Sequence, residues 1–383
     1  MGQGSEPYRG LRCTECQTNF PGGQLLARCP RCNGLLDTVF DEESLAGYSR
    51  EDLPRTPSMW KFRVFLPIPT DSRVVSAGEG NTPLRKMNLF PGQVSVKDET
   101  RNPTGTFKDR GASSAISCLS RLKANRIVLA TEGNAGCSFA LYSQMAGIEC
   151  AVYLPRQANP AKISLSKRLG ARITPVAGTI GDAGRYAAKS ALKAGKYNAS
   201  SFVTPFRHDG KGTMALEICE QMGWQVPDFV VYPVGGGVGL VGMWKMFNLL
   251  ERIGWTKGKP RFIAVQPSGC APVVEAYNHG QEDVEEWKSP HSIAQGLKIP
   301  KPLAGKWILK CLRESKAKAF KVTDHQIRAA MRETARRDGL VLEPSSAAAV
   351  AAVPQAFETR TVDKSDRIVV IATGSGLKTL DQS

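Results

Sequence analysis

The sequence predicts an α/β chain with mostly parallel sheets, preceded by a small module built on four cysteines. Three observations carry this expectation. Short apolar runs alternate with segments of helical periodicity from about residue 76 onward. Two of those runs end in glycine-rich turns that lead straight into a helical segment. Ahead of them, Cys13-x-x-Cys16 and Cys29-x-x-Cys32 stand 12 residues apart, which is the spacing of a tetrahedral four-thiolate metal site.

Taken in order, residues 1–40 read as a zinc ribbon with Cys13, Cys16, Cys29 and Cys32 as ligands. Each CxxC turn brings two thiolates to one metal, and Pro30, Gly22, Gly23 and Gly34 suit the turns. Two disulfides are the competing reading, but residues 1–12 carry no apolar core of a secretory signal. The other six of the ten cysteines are scattered and read as reduced core or near-surface residues. Residues 41–75 form a helical, proline-punctuated lead-in. Strands are expected at 94–97, 127–130, 150–154, 172–176, 201–204, 229–233, 262–265 and 368–372. Helices intervene, such as 182–194 and 324–338. The acidic run 282–286 reads as a solvated loop, and no internal repeat is visible.

The segment Asn102-Pro103-Thr104-Gly105-Thr106-Phe107-Lys108-Asp109-Arg110-Gly111 sets one lysine in a Gly/Thr-rich turn between a strand and a helical run. Partial desolvation there would make Lys108 an amine nucleophile at neutral pH. Its natural electrophile is an aldehyde cofactor, pyridoxal 5′-phosphate (PLP) being the usual one. A solvated lysine at a helix start is the plainer alternative for any single lysine.

A second feature follows the apolar run 228–234. Gly235-Gly236-Gly237-Val238-Gly239 opens a helical segment, an arrangement in which backbone N–H groups and the helix dipole hold a phosphate. Gly237-x-Gly239-x-x-Gly242 also fits a dinucleotide fingerprint, which needs an acidic residue at the end of the next strand. That strand ends in Gln266 and Pro267. A single phosphomonoester is therefore favoured. A third turn, Thr131-Glu132-Gly133-Asn134-Ala135, follows the apolar run 126–130 and offers N–H donors to an anion. An ordinary strand-to-helix turn explains it equally well.

In order along the chain, these motifs resemble those of the threonine synthases, within the tryptophan-synthase-β-like (fold type II) group of PLP enzymes. The resemblance runs from about Ser58 to Lys378. Ser58-Met59-Trp60-Lys61-Phe62-Arg63 and Gly78-Glu79-Gly80-Asn81-Thr82-Pro83-Leu84 resemble the family's two N-terminal segments. Residues 102–111 resemble its PLP-lysine motif, with Thr106 for the commoner Ser. Glu343-Pro344-Ser345-Ser346 and Thr373-Gly374-Ser375-Gly376-Leu377-Lys378 resemble its C-terminal signatures.

Some positions depart from the pattern. Ala135 stands where a substrate-phosphate Thr is common. The glycine loop is closer to that of dehydratases of the same fold. Arg207 is retained in the substrate-phosphate segment 204–213, whereas Thr204 and Phe202 replace an Asn and a Ser.

The resemblance implies a fold of two doubly wound α/β domains of PLP fold type II behind a small four-cysteine zinc ribbon. Its segments are 1–40 (ribbon), 41–90 (lead-in and start of the large domain), 91–205 (small domain) and 206–383 (large PLP-binding domain). It implies that Lys108 carries PLP as a Schiff base and serves as general base once displaced. Residues 235–239 would hold the cofactor phosphate, Asn134 the ring hydroxyl, and Thr373, with Ser375 as substitute, the pyridine nitrogen. Thr131, Gly133, Ala135, Arg207 and Lys211 would line the substrate. A homodimer is expected, with a structural zinc in the ribbon.

Three functions stay open: a threonine synthase acting on O-phosphohomoserine, a β-eliminating or β-replacing relative (a serine/threonine dehydratase, or a cysteate synthase using phosphoserine), and a non-catalytic regulatory protein. Intact Lys108, glycine loop and Thr373 argue against the last. The formal charge of +16 is spread without a run of five like charges. It suits anionic substrates better than nucleic acid. The longest uncharged stretches, 16 residues each and broken by glycines, are too short for a membrane span. A cytoplasmic enzyme is expected. His208, beside Arg207, reads as solvent-exposed with a chance of touching substrate.

Overall fold

The computed structural model describes residues 6–379. In chain order the strands are β1 (Tyr8–Cys13), β2 (Asn19–Pro21), β3 (Leu36–Phe40), β4 (Leu84–Lys86), β5 (Gln93–Asp98), β6 (Arg126–Ala130), β7 (Glu149–Pro155), β8 (Arg172–Val176), β9 (Tyr197–Asn198), β10 (Phe229–Pro233), β11 (Arg261–Pro267), β12 (Lys318–Val322) and β13 (Arg367–Ala372). The α-helices are α1 (Glu42–Ala46), α2 (Lys108–Arg121), α3 (Asn134–Ala146), α4 (Pro160–Arg168), α5 (Ile180–Ala194), α6 (His208–Gln221), α7 (Val238–Arg252), α8 (Pro272–Asn278), α9 (Gly305–Glu314), α10 (Asp324–Asp338), α11 (Pro344–Ala351) and α12 (Val353–Glu358). They divide between two compact units, each discontinuous in sequence.

The first unit comprises Met1–Asn81, Lys108–Leu216 and Asn248–Trp255. It contains an antiparallel three-stranded sheet, β2-β1-β3, and an all-parallel sheet ordered β8-β7-β6-β9. Helix α3 shows how local sequence sets an element: the chain enters through Gly133 at φ +133° and leaves through Gly147 in the left-handed conformation. One apolar core joins β6 and β7 (Ile127, Leu129, Val152, Leu154) to α2 and α3 (Ile116, Leu119, Phe139). Leu11, Cys13, Cys29 and Leu36 of the cysteine module belong to that same core.

A buried carboxylate ties the two N-terminal motifs together in this unit. Glu79, wholly buried, accepts from Trp60 Nε1 (2.8 Å), the Tyr142 hydroxyl (2.7 Å) and the Ala77 N–H (2.8 Å). Three donors offset its desolvation. Burial, ahead of the neighbouring Asp109 and Glu79 charges, pushes the Tyr142 hydroxyl far above its ordinary pKa.

The second unit comprises Thr82–Phe107, Glu217–Phe247 and Thr256–Ser383. Its six-stranded sheet is ordered β12-β11-β10-β13-β5-β4, parallel except for β4. The central strands read Phe-Val-Val-Tyr-Pro and Arg-Ile-Val-Val-Ile-Ala and are almost wholly buried, as a sheet covered on both faces requires. Helix α10 is set by a capping box, with Thr323 accepting from the Gln326 N–H, and stops at Gly339 in the left-handed conformation. At the start of the unit Lys97 is fully buried and its three ammonium donors are spent on Thr82 O (2.6 Å), Glu217 Oε2 (2.7 Å) and Gln221 Oε1 (2.9 Å).

One expectation needs correction, and one strand was not foreseen. Residues 201–204 form no strand. They close a turn in which Thr204 N–H returns to Ser200 O and Phe202 takes φ +59°, leaving a single bridge between Ser201 and Thr204; the strand lies earlier, at β9. The edge strand β12, with its mixed Lys-Ala-Phe-Lys-Val sequence, was not anticipated.

Candidate active site

In the second unit, the lysine motif is built into a small three-segment sheet. Phe107 N–H donates to Thr373 O (3.0 Å), Ser375 N–H donates to Gly105 O (2.8 Å), and Thr106 bridges Gly374. On the other side Glu343 N–H donates to Gly374 O (3.1 Å) and Leu342 bridges Ser375. The motif at 102–107 and both C-terminal signatures are thus one construction, and the residue that follows it is Lys108. Lys378 Nζ fastens the same turn through Thr104 O at 2.5 Å.

Thr373 is 4% exposed, and its hydroxyl lies 3.0 Å from Ser346 Oγ, which also takes the Gly374 N–H at 2.6 Å. Sequence reading singled out Thr373 and passed over Ser346, although both sit in the quoted signatures. Ser375 is spent locally, accepting from the Leu377 N–H.

The glycine loop leaves the end of β10 and opens α7, a helix of 15 residues. Val241 N–H bonds back to Gly237 O, whereas among the described residues no protein acceptor serves the N–H groups of residues 235–240. Most of that stretch is buried. Buried donors without partners, at the positive end of a helix dipole, are a cradle for an anion. Gly239 has a steric reason as well. A Cβ there would overlap the Tyr232 hydroxyl and come within 2.9 Å of Phe107 Cε2. Gln266, at the end of β11, is fully engaged: Oε1 accepts from Val273 and Val274, and Nε2 donates to Val234 O. Nothing at that position can hold a ribose.

The first unit carries the other residues. Lys108 is half-buried at the start of α2. Helix α6 crosses close to that turn: a Cβ on Gly111 would meet Lys211 Nζ at 2.5 Å and the Arg207 carbonyl at 2.9 Å. Arg207 is 1% exposed; its guanidinium lies 4.7 Å over the Phe139 ring of α3 and donates to Ala199 O at 2.9 Å. Its Nε has no hydrogen-bond partner among the described residues. Burial draws the Arg207 pKa down to about 10. Lys211, wholly buried, is drawn well below its ordinary value by burial, then by the charges of Arg207 and Lys108. Arg207 and Lys211, both buried, give this part of the first unit a concentration of positive charge beside the half-buried Lys108.

The turn holding Thr131, Gly133, Asn134 and Ala135 opens α3, the helix on which Arg207 rests. Gly133 N–H is taken by Thr131 Oγ1 at 2.9 Å, so that donor is already satisfied. Ala135 is buried and brings no polar group. His208 corrects the exposed reading: it is 1% exposed, with Nε2 2.8 Å from Asp37 Oδ1 and its ring stacked on Phe202.

The four ribbon cysteines converge as their spacing predicts. All four sulfurs lie within 4.8 Å of one another, with Cys13–Cys32 at 3.4 Å and Cys16–Cys29 at 3.6 Å. A tetrahedron with Zn–S of about 2.3 Å has S···S edges of roughly 3.8 Å, so the set fits one zinc. Burial pushes the Cys13 thiol up to about 12, and the Thr18 hydroxyl draws Cys16 down to about 6. The remaining six cysteines are buried and none is in a disulfide. No helix among the described residues is long and apolar enough to cross a membrane.

Comparison with known proteins bears on these features. The family profile described as "Pyridoxal-phosphate dependent enzyme" matches residues 75–374. The threonine synthase of Methanocaldococcus jannaschii is 33% identical over 378 residues, covering 97% of this chain and 93% of that one. The threonine synthase of Methanosarcina acetivorans is 30% identical, over 96% of this chain and 92% of that one. Among solved structures, maize serine racemase superposes with a TM-score of 0.67 at 21% identity, over 79% of this chain and 91% of that chain. That last likeness concerns the fold alone.

Proposed function

Because the chain belongs to the family of pyridoxal-phosphate dependent enzymes, we propose that it is a threonine synthase, converting O-phospho-L-homoserine and water to L-threonine and phosphate. The observation that supports the proposal is a pair of buried cations in the first unit. The glycine loop would take the cofactor's phosphate, which leaves the buried cations Arg207 and Lys211, near Lys108, without a role in cofactor binding. A substrate bearing its own phosphate gives that pair a purpose that serine or threonine would not. Support also comes from the two archaeal threonine synthases, which resemble this chain over almost its whole length.

In this reading Lys108 would hold the cofactor's carbonyl carbon, residues 235–239 its phosphate, Asn134 its ring hydroxyl and Thr373 its ring nitrogen. When bound, the cofactor supplies an electron sink for a substrate carbanion. The chain's own residues do the rest. Arg207 and Lys211 hold the substrate phosphate by charge-assisted hydrogen bonds and keep it in place as it leaves from Cγ. The Lys108 amine, once displaced, would take protons from Cα and Cβ, return one to Cγ after the phosphate has left, and return one to Cα after water has added at Cβ. A hydroxyl at the ring nitrogen, in place of a carboxylate, favours elimination over racemisation. Water then adds to Cβ. The ribbon cysteines hold a structural zinc.

The test is to offer the purified protein O-phosphohomoserine, O-phosphoserine, serine and threonine in parallel and measure phosphate and amino-acid products. Threonine and phosphate from phosphohomoserine are expected. Pyruvate or 2-oxobutyrate from serine or threonine, with phosphohomoserine untouched, would move the chain to the dehydratases, the reading that Ala135 favours.

A further inference from the structure

We infer that the cysteine ribbon is a working part of the substrate-anion site, with Asp37 and Thr38 acting as positioning residues for Arg207 and Lys211. The inference rests on the proposed reading of those two cations. It concerns residues 6–40, which the reaction as described leaves unused.

Three contacts from the ribbon reach one short stretch of the first unit. Asp37 Oδ1 lies 2.8 Å from His208 Nε2. Thr38 Oγ1 donates to Asp209 Oδ2. The Tyr197 hydroxyl lies 3.0 Å from both the Leu26 carbonyl and Thr204 Oγ1. These partners flank the anion-binding segment: Thr204 precedes Arg207, while His208 and Asp209 lie between Arg207 and Lys211. Phe206 and Tyr197 share the apolar core that takes in Leu11 and Leu36 of the ribbon. The stretch is therefore gripped by polar contacts and packing at once.

The ribbon could act in this way because its cysteines stand at the end of β1 and in the loops between its strands. Cys13 ends β1 directly opposite Leu36 of β3, and Asp37 and Thr38 follow Leu36. A metal on the four cysteines would hold that register, and the register sets where Asp37 and Thr38 stand on β3. His208 in turn has little freedom. Its ring is stacked on Phe202 and its Nε2 is committed to Asp37. Arg207 is the residue immediately before it, and Lys211 lies on the first turn of α6. Supporting contacts of this kind decide whether a charged clamp sits where it must, and a misplacement of about 1 Å can cost on the order of a hundredfold.

The test uses holoenzyme, so that the glycine loop is already filled, with inorganic phosphate as the probe of the Arg207–Lys211 site. Calorimetry gives phosphate Kd for wild type, Asp37→Ala, Asp37→Asn, Thr38→Val and Arg207→Ala. Steady-state kinetics with the phosphorylated substrate give KM and kcat. We expect Asp37→Ala and Thr38→Val to weaken phosphate binding and raise KM about tenfold, with kcat changed far less and the cofactor absorbance intact. Asp37→Asn, which keeps an oxygen acceptor for His208, should stay near wild type. Removing the metal from wild-type holoenzyme with a chelator should reproduce the loss of phosphate affinity. Unchanged phosphate affinity in Thr38→Val and in soluble Asp37→Ala, with affinity lost in Arg207→Ala, overturns the inference. Unchanged affinity in Arg207→Ala overturns the reading beneath it. Thr38→Val loses only a hydroxyl and keeps the test open should Asp37→Ala fail to fold.

Discussion

Replacing Gly239 by alanine tests the glycine loop most sharply, because the clash has a named partner. The new Cβ would overlap the Tyr232 hydroxyl and stand 2.8 Å from Tyr232 Cζ and 2.9 Å from Phe107 Cε2. Tyr232 cannot swing clear: it is 2% exposed, within β10, and its ring meets Phe107 edge-on with centroids 6.4 Å apart. Overpacking of this kind costs about 1–3 kcal/mol. At roughly 2 kcal/mol, the melting temperature should fall by about 4–8 °C. If the loop moves instead, cofactor affinity should fall roughly thirtyfold, since about 1.4 kcal/mol is a factor of ten. Tyr232→Phe deletes the overlapping oxygen and leaves the ring carbon, so Gly239→Ala/Tyr232→Phe should recover part of the loss. Cofactor titration and thermal melts on the four proteins of the cycle measure the coupling. Full cofactor affinity and an unchanged melt in Gly239→Ala would refute the argument. A loss that Tyr232→Phe leaves untouched would show that Tyr232 is not what Gly239 accommodates.

Two further predictions follow from buried charge. Glu217→Ala removes the carboxylate that accepts from the buried Lys97 ammonium, keeping the neutral acceptors Thr82 O and Gln221 Oε1, and should destabilise by about 3–5 kcal/mol. Lys97→Met/Glu217→Leu, which removes both charges, should be less damaging than either single change in urea unfolding; strict additivity would argue against the pair. Lys211 has a folded pKa depressed below its unfolded value. The unfolded chain therefore holds the extra proton between the two values, and stability of the anion-free protein should rise with pH across that window. A bound phosphate favours the charged lysine, so phosphate affinity should fall as pH climbs through the folded pKa, and Lys211→Met should flatten the profile. Affinity independent of pH in wild type, above the ligand's own second ionisation, would count against Lys211 as an anion ligand.

Legibility of the sequence followed the range of the forces involved. Helix α10 was readable to its ends because its signals are local: Thr323 and Gln326 close one end and Gly339 the other. The four thiolates were readable because a CxxC turn fixes geometry within a few residues. Lys97 shows what local pattern cannot reach. In the alternation Val94-Ser95-Val96-Lys97 it looks like an outward polar residue, yet it is fully buried, held by a glutamate 120 positions away. His208 failed for the same reason, its partner Asp37 being 171 positions distant. The turn at residues 201–204 defeated strand propensity because Phe202 has positive φ, which no apolar pattern announces.

The shared core of the first unit bears on how this protein could be shortened. Leu11, Cys13, Cys29 and Leu36 pack in the same cluster as Tyr197 and Phe206. A truncated chain starting after residue 40 would uncover that apolar surface and cut the Thr38 link to buried Asp209. An exposed apolar patch promotes association, so such a fragment should be recovered as aggregate even with every cofactor residue present. Domain shuffling across that boundary would meet the same obstacle. A transplanted ribbon must bring a β3 that matches the host's α6 as well as four cysteines at the right spacing.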